Sequence, residues 1–332
     1  MAVVLGAGAV GLSLGARLAA AGVPVLFVVR RAEVARAIER EGVRVEDPGS
    51  GEVIRARAEA IPGIELAAAR LRDPEAGPIL ICVRANDTEE VADRLVRVAP
   101  EATVCSVQNH VDNEDLLAER FERVLGAVWR QTCTRIDLHA VTALGRGRVI
   151  VGLHPEGRGR DVEALAASLR RAGFDVAVSD HIVEDKWLKL CVNLMSAPNA
   201  LVHPDEHETE AFVETKARVL EEARAVLAAA HVSARSCDGR DRSLDEEIAF
   251  QRASLARGTS ARRLPVYNQI WAALRDRRAI EGDRYHRLII DLGRRAGVPT
   301  PVNARVLAAL EHAAQTGTGP ESMGAEELLG PR

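Results

Sequence analysis

Lys189 and Asn193 stand four residues apart in Asp185-Lys-Trp-Leu-Lys-Leu-Cys-Val-Asn-Leu-Met-Ser-Ala-Pro-Asn199, a spacing that puts both on one face of a helix. Ala197 continues that line, and Lys186 lies about 60° off it. Trp187, Leu188, Leu190, Val192 and Leu194 surround them, so two polar side chains interrupt an otherwise apolar helix. The chain has 44 basic residues but only three lysines, Lys186, Lys189 and Lys216. Arginine stays charged, whereas a lysine ammonium can release a proton, and burial or nearby charge can move its pKa. Reduction of a carbonyl needs a hydride donor and a proton donor, and Lys189 suits the second role. The plainer alternative is a lysine stem lying along a half-exposed helix.

A second motif supplies the hydride side. Gly6-Ala7-Gly8-Ala9-Val10-Gly11 follows the apolar run Ala2–Leu5 and opens a helical stretch. Gly6 allows the tight turn, Gly8 lets backbone approach a pyrophosphate, and Gly11 lets helix pack closely on strand. The helix N-terminus offers amide donors and a positive dipole end to the phosphates. The second strand ends Val28-Val-Arg-Arg31, with Glu33 the nearest acid, where NAD-specific proteins place a carboxylate on the ribose 2′-hydroxyl. Two guanidinium groups suit a 2′-phosphate, so NADPH/NADP is expected, with Arg30 the better-placed cation. Solvent-facing arginines at a helix start are the alternative.

The elements that must position these groups follow from patterning. Apolar runs at 2–5, 24–29, 78–83 and 102–107 alternate with helical stretches, and strand-like pieces recur at 124–129, 148–152 and 175–179. Runs apolar on both faces predict a parallel sheet covered by helices. From His181 onward the pattern is helical, over 182–197, 208–230, 243–257, 264–277, 283–296 and 304–314. The fold class is therefore an α/β Rossmann-type N-terminal domain, residues 1–180 and NADP-binding, followed by an all-helical C-terminal domain, 181–332, carrying substrate and catalytic groups. Gly258-Thr-Ser-Ala261 reads as a helix break, and the tail from Thr316 as loose.

Composition excludes other classes. A net charge of −4 without long single-sign blocks argues against nucleic acid or an anionic membrane as partner. No apolar run approaches a membrane span, and a cytoplasmic protein with a small-molecule partner is expected. The five cysteines lack a CxxC pair and read as free, mostly buried thiols. His203-Pro-Asp-Glu-His207 has histidines at metal-ligand spacing, but its proline and acids fit a turn entering a helix, so no metal is expected.

The glycine loop, Arg84-Ala-Asn-Asp-Thr after a strand, Gln108-Asn109, Lys-Trp-Leu-Lys189-Leu-Cys-Val-Asn193 and Gly297-Val-Pro-Thr-Pro-Val-Asn303 occur in the order seen in ketopantoate reductase (2-dehydropantoate 2-reductase). The chain resembles that family from residue 1 to about 315. The resemblance implies an NADPH-dependent reductase of a 2-oxo acid, a pantothenate-biosynthesis activity, with Lys189 as general acid and Asn193 as substrate ligand. It also implies Asn109 near nicotinamide and substrate, Arg30 at the 2′-phosphate, and Glu281 reaching toward the cofactor ribose and Lys189. Arg84 stands where the family carries a cofactor-contacting lysine.

Departures from the family cluster on the substrate side. QNG becomes Gln108-Asn-His110, a second substrate asparagine becomes Ala197, a substrate serine becomes Gln269, and Ile280-Glu-Gly-Asp-Arg-Tyr-His286-Arg287 loses an Asn-Gly pair. His110 and Gln269 are thus candidate substrate contacts. The exact substrate stays open between ketopantoate and another carbonyl or imine, and a non-catalytic dinucleotide sensor is the remaining alternative. The alanine-rich helices over 208–230 and 304–314 fit either a homodimer interface or the second core.

Overall fold

The runs that are apolar on both faces form the central strands of one eight-stranded sheet. The computed structural model describes residues 1–73, 75–255 and 268–330, and the chain divides into two compact units, Met1–Lys186 and Trp187–Arg332. In the first unit β1 (Ala2–Leu5), α1 (Ala9–Ala20), β2 (Val25–Val29) and α2 (Ala32–Glu41) are followed by three short strands, β3 (Val43–Glu46), β4 (Val53–Ala56) and β5 (Glu59–Pro62). Next come α3 (Ala68–Leu71), β6 (Ile79–Ile81), α4 (Thr88–Val98), β7 (Val104–Ser106), α5 (Asn113–Ala118) and β8 (Val124–Arg130). The unit closes with β9 (Cys133–Arg135), β10 (Ala140–Ala143), β11 (Arg148–Leu153), α6 (Arg160–Arg171), β12 (Asp175–Ser179) and the start of α7 (Ile182–Leu194).

The main sheet runs β12-β11-β8-β7-β6-β1-β2-β5 and is parallel except for the β8–β11 pair. Its central strands β1, β2, β6 and β7 are buried on both sides because successive residues enter different cores: Val4, Phe27 and Leu80 face one, Val3, Leu5, Leu26 and Ile79 the other. Helix α1 lies against β2 so closely that a Cβ at Gly15 would collide with the Phe27 ring.

A second sheet, β4-β3-β10-β9, was not expected from sequence, nor was β5. These strands are mostly four residues or fewer, and β3 and β4 alternate with charged or exposed positions, so they lack the continuous apolar signal of the main sheet.

The second unit is helical: the rest of α7, then α8 (Ser196–Leu201), α9 (Glu210–Ala229), α10 (Leu244–Arg252), α11 (Gln269–Arg275), α12 (Asp283–Ala296), α13 (Pro301–Thr316) and α14 (Ala325–Leu329). The expected single helix over 182–197 is broken after Leu194. Pro198 explains the break, because a proline ring clashes with the carbonyl four residues back, here Leu194. The expected break at Gly258–Ala261 and the start of the helix over 264–277 lie outside the described residues. The tail is docked rather than loose: the Met323 amide donates to the Leu201 carbonyl at 3.0 Å, and α14 packs on α9 and α13.

Lys216 is buried, with its ammonium 4.5 Å from the centre of the Phe212 ring. The five cysteines are free thiols, of which Cys237 is exposed. No described helix is long and apolar enough to cross a membrane.

Candidate active site

The loops that carry the cofactor-side residues leave one edge of the main sheet. Leu5 pairs with Val28 and Ile81, and Ile81 pairs with Ser106, so β2, β1, β6 and β7 end level with one another. The glycine loop leaves β1, Arg30 follows β2, Arg84 lies three residues beyond β6, and Gln108-Asn109 lies just beyond β7. At ~4.8 Å per strand these loops span roughly 14 Å. The chain passes from β1 to β2 on one side and later returns to β6 on the other. Such a reversal at the carboxyl ends of parallel strands is where open α/β sheets take ligands.

The glycine loop fits a dinucleotide pyrophosphate. Gly6 has φ +107°, a conformation other residues resist. A Cβ at Gly11 would collide with the Gly6 carbonyl oxygen, so that glycine serves helix-to-loop packing. Gly8 differs, with ordinary extended backbone (φ −77°, ψ −174°), and an added Cβ would meet only the Cys82 carbonyl oxygen, at 3.8 Å. Nothing within the chain demands glycine there, and the space before it is open to a ligand. Gly8 caps α1 without a side-chain acceptor, and the first turn of α1 carries no acid. The amides around Ala9 and Val10 therefore present the donor-rich helix end that binds phosphate. Cys82 packs behind the loop, its thiol pushed up to about 12 by burial.

Arg30 is exposed directly after β2, and among the described residues no carboxylate pairs with it. Arg31 is paired with Glu33 at 3.3 Å. Arg84 is exposed and pairs with Asp87 at 3.1 Å.

The turn after β7 is held from several sides. The Gln108 side-chain amide donates to the Val83 carbonyl (3.0 Å) and the Thr88 hydroxyl (2.7 Å), tying this loop to the one after β6. The Thr88 hydroxyl donates to Asn113 Oδ1 (3.0 Å), and Asn113 Nδ2 donates to the His110 carbonyl (3.0 Å). Asn109, between these anchored neighbours, is exposed. The His110 imidazole is buried, its Nδ1 3.2 Å from the Asp112 carboxylate.

Beneath the turn lies a group the sequence did not reveal. Lys186 is 3% exposed and Glu114, in the first turn of α5, is 1% exposed; the Lys186 ammonium donates to Glu114 Oε1 and to the Gln108 carbonyl (3.0 Å). Burial pushes the Glu114 carboxyl up, and the Lys186 charge opposes that. Two readings of Lys186 follow from the sequence, charge pairing near Asp185 or a lesser role at the cleft; its partners are Glu114 and Gln108, and Asp185 accepts from the Ser179 hydroxyl at 2.6 Å. The partners are 72 residues apart, and Asp112-Asn-Glu-Asp115 reads locally as a solvated first turn, so no signal in the sequence links them.

In the second unit, α7 carries Lys189 and Asn193 one turn apart, both half-buried. Ala197 is fully buried in α8, beyond the helix break. Gln269 is the exposed first residue of α11; the preceding Asn268 caps that helix and donates to the Ser196 carbonyl at 2.7 Å. Glu281 is half-buried just before α12, beside Gly282, where a Cβ would collide with Ile270.

His286 is fully buried in α12, and its Nδ1 lies 2.8 Å from Asn303 Oδ1 on α13. Asn303 in turn donates to Glu222 Oε2 (2.8 Å), which accepts its backbone amide as well (2.9 Å). The Gly297–Asn303 motif is thereby tied into a helix-capping network: Gly297 ends α12 at φ +69°, Pro301 starts α13, and Glu222 satisfies the first amides of α13.

Two family models cover most of the chain: the ketopantoate reductase PanE/ApbA model matches residues 2–156 and its C-terminal counterpart residues 181–314. The chain belongs to the ketopantoate reductase family. A 2-dehydropantoate 2-reductase from Archaeoglobus fulgidus is 31% identical over 196 residues, 59% of this chain and 61% of that protein. One from Pyrococcus horikoshii is 26% identical over 57% of this chain and 60% of that protein, and one from Halobacterium salinarum is 25% identical over 94% and 98%. The matched region thus spans about three fifths of the first two archaeal relatives' length. Among solved structures, a PanE/ApbA family ketopantoate reductase from Ralstonia eutropha aligns with a TM-score of 0.77 at 26% identity, covering 96% of this chain and all of that one. A D-mandelate dehydrogenase solved with NADH and anilino(oxo)acetate aligns equally well at 20% identity, which establishes the shared fold alone.

Proposed function

We propose that the protein is an NADPH-dependent reductase that converts a 2-oxo acid of the ketopantoate type to the 2-hydroxy acid. The observation that carries this reading is the cradle at Gly8, open where a side chain would intrude and backed by the uncapped N-terminus of α1. Gly6 and Gly8, with the amides of Ala7, Ala9 and Val10, would hold the pyrophosphate, and Gly11 packs α1 against that loop; Arg30 would take the 2′-phosphate and Arg84 add positive charge. Bound there, the dihydronicotinamide supplies the hydride that the carbonyl carbon receives.

The remaining chemistry belongs to the chain. Lys189 Nζ donates a proton to the carbonyl oxygen as it gains negative charge, leaving a hydroxyl and a neutral amine that is reprotonated from solvent. Glu281 orients and supports that ammonium and meets the cofactor ribose. Asn193 and Asn109 hold the oxo acid by hydrogen bonds, and Gln269 and His110 contribute where family members carry other residues. An exchange that gains or loses one hydrogen bond desolvated by the substrate shifts discrimination by about tenfold to a hundredfold, at ~1–3 kcal/mol. Reading substrate range therefore needs a panel.

Steady-state oxidation of NADPH and of NADH with ketopantoate and with bulkier aliphatic and aryl 2-oxo acids tests the reading. It is expected to show turnover on at least one 2-oxo acid with NADPH preferred. No turnover on any of them, or preference for NADH, would contradict it.

A further inference from the structure

We infer that Lys186 is a positioning residue that sets the pose of the Gln108-Asn109 turn by donating to the Gln108 carbonyl, while Glu114 balances its buried charge. The inference rests on the reductase reading for what Asn109 does, but its geometry stands independently. Lys186 and Glu114 are both buried, and the ammonium divides its donors between the Glu114 carboxylate and the Gln108 carbonyl, 3.0 Å away. That carbonyl belongs to the peptide that joins Gln108 to Asn109.

A buried ion pair is poor value for stability alone, because desolvation offsets the attraction and an apolar pair of similar size serves as well. What an apolar pair cannot do is donate to the Gln108 carbonyl. The other anchors act on either side of that peptide: Val83 and Thr88 hold the Gln108 side chain, and Asn113 holds the His110 carbonyl. Lys186 contacts the peptide itself. Residue type supports the assignment. In a chain that carries three lysines against 41 arginines, a compact ammonium stands where two acceptors are reached in a closed space, whereas a guanidinium presents its donors in a fixed planar fork. Asn109, exposed between tied neighbours, is the side chain whose aim depends on this arrangement.

The test replaces the pair by apolar residues, Lys186→Met with Glu114→Leu, and compares it with Glu114→Gln, which keeps the donation to Gln108. The double variant is expected to melt within a few degrees of the parent and bind NADPH within threefold. Its kcat should fall at least tenfold, and amide hydrogen exchange should quicken in the segment 106–112 and not elsewhere. Glu114→Gln is expected to melt lower yet keep kcat within threefold. Parental kcat and exchange in the double variant, or an equal loss of kcat in Glu114→Gln, would overturn the inference. If the parent itself reduces no 2-oxo acid, the reductase reading fails, while the exchange measurement still decides whether Lys186 holds the turn.

Discussion

Gly8 and Gly11 put one residue type to two uses within four positions. Gly11 is required by the chain, since a Cβ there meets the Gly6 carbonyl, whereas Gly8 has ordinary backbone and open space before it. Gly11→Ala should therefore lower stability by about 1–3 kcal/mol through overpacking. Gly8→Ala should leave the melting temperature unchanged and weaken NADPH binding at least tenfold. Thermal denaturation and fluorescence titration separate the two, and equal behaviour of the variants would contradict the assignment. The loop-to-helix placement of these glycines and the one-turn spacing of Lys189 and Asn193 on α7 were legible because both lie in local sequence. Lys186 was noticed with its partner left open, and Glu114 was missed, because a contact across 72 residues leaves no periodicity to read. His286 was read as a departure on the substrate side, whereas it is a fully buried link from α12 to α13.

That link gives α12 and α13 a titration of their own. Burial pushes the His286 imidazole down to about 4 from its ordinary 6.5, with the Asn303 hydrogen bond opposing. As pH falls, the unfolded chain takes up the proton near 6.5 and the folded chain only near 4. The contribution of a neutral His286 is therefore complete above about pH 6.5 and is lost progressively down to about 4, a difference of about 3 kcal/mol. Urea unfolding at pH 7 and pH 4.5 should show a smaller acid loss for His286→Gln than for the parent. Parallel losses would show that this histidine is not responsible. At the scale of elements, the main-sheet strands and most helices were readable, because runs apolar on both faces and helical periods carry strong signals. The second sheet was not, since β3 and β4 are short and half-exposed, and the end of α7 was misplaced because Pro198 acts four residues upstream of itself.

Across the whole molecule, the proposed reaction draws on both units: the phosphate-binding loops, Arg30, Arg84 and Asn109 lie in Met1–Lys186, and Lys189, Asn193, Gln269 and Glu281 in Trp187–Arg332. The family models likewise match one segment in each half of the chain, so the fold and family agree with what the motif order implied. The rarity of lysine in this chain gives that division its chemical content. One lysine holds a backbone turn, one lies over the Phe212 ring, and Lys189 is assigned the proton. The most direct measurement is turnover and NADPH binding in Lys189→Ala. With the preferred 2-oxo acid, kcat should drop to background while the NADPH dissociation constant stays within threefold of the parent. Parental turnover in this variant would contradict Lys189 as the general acid.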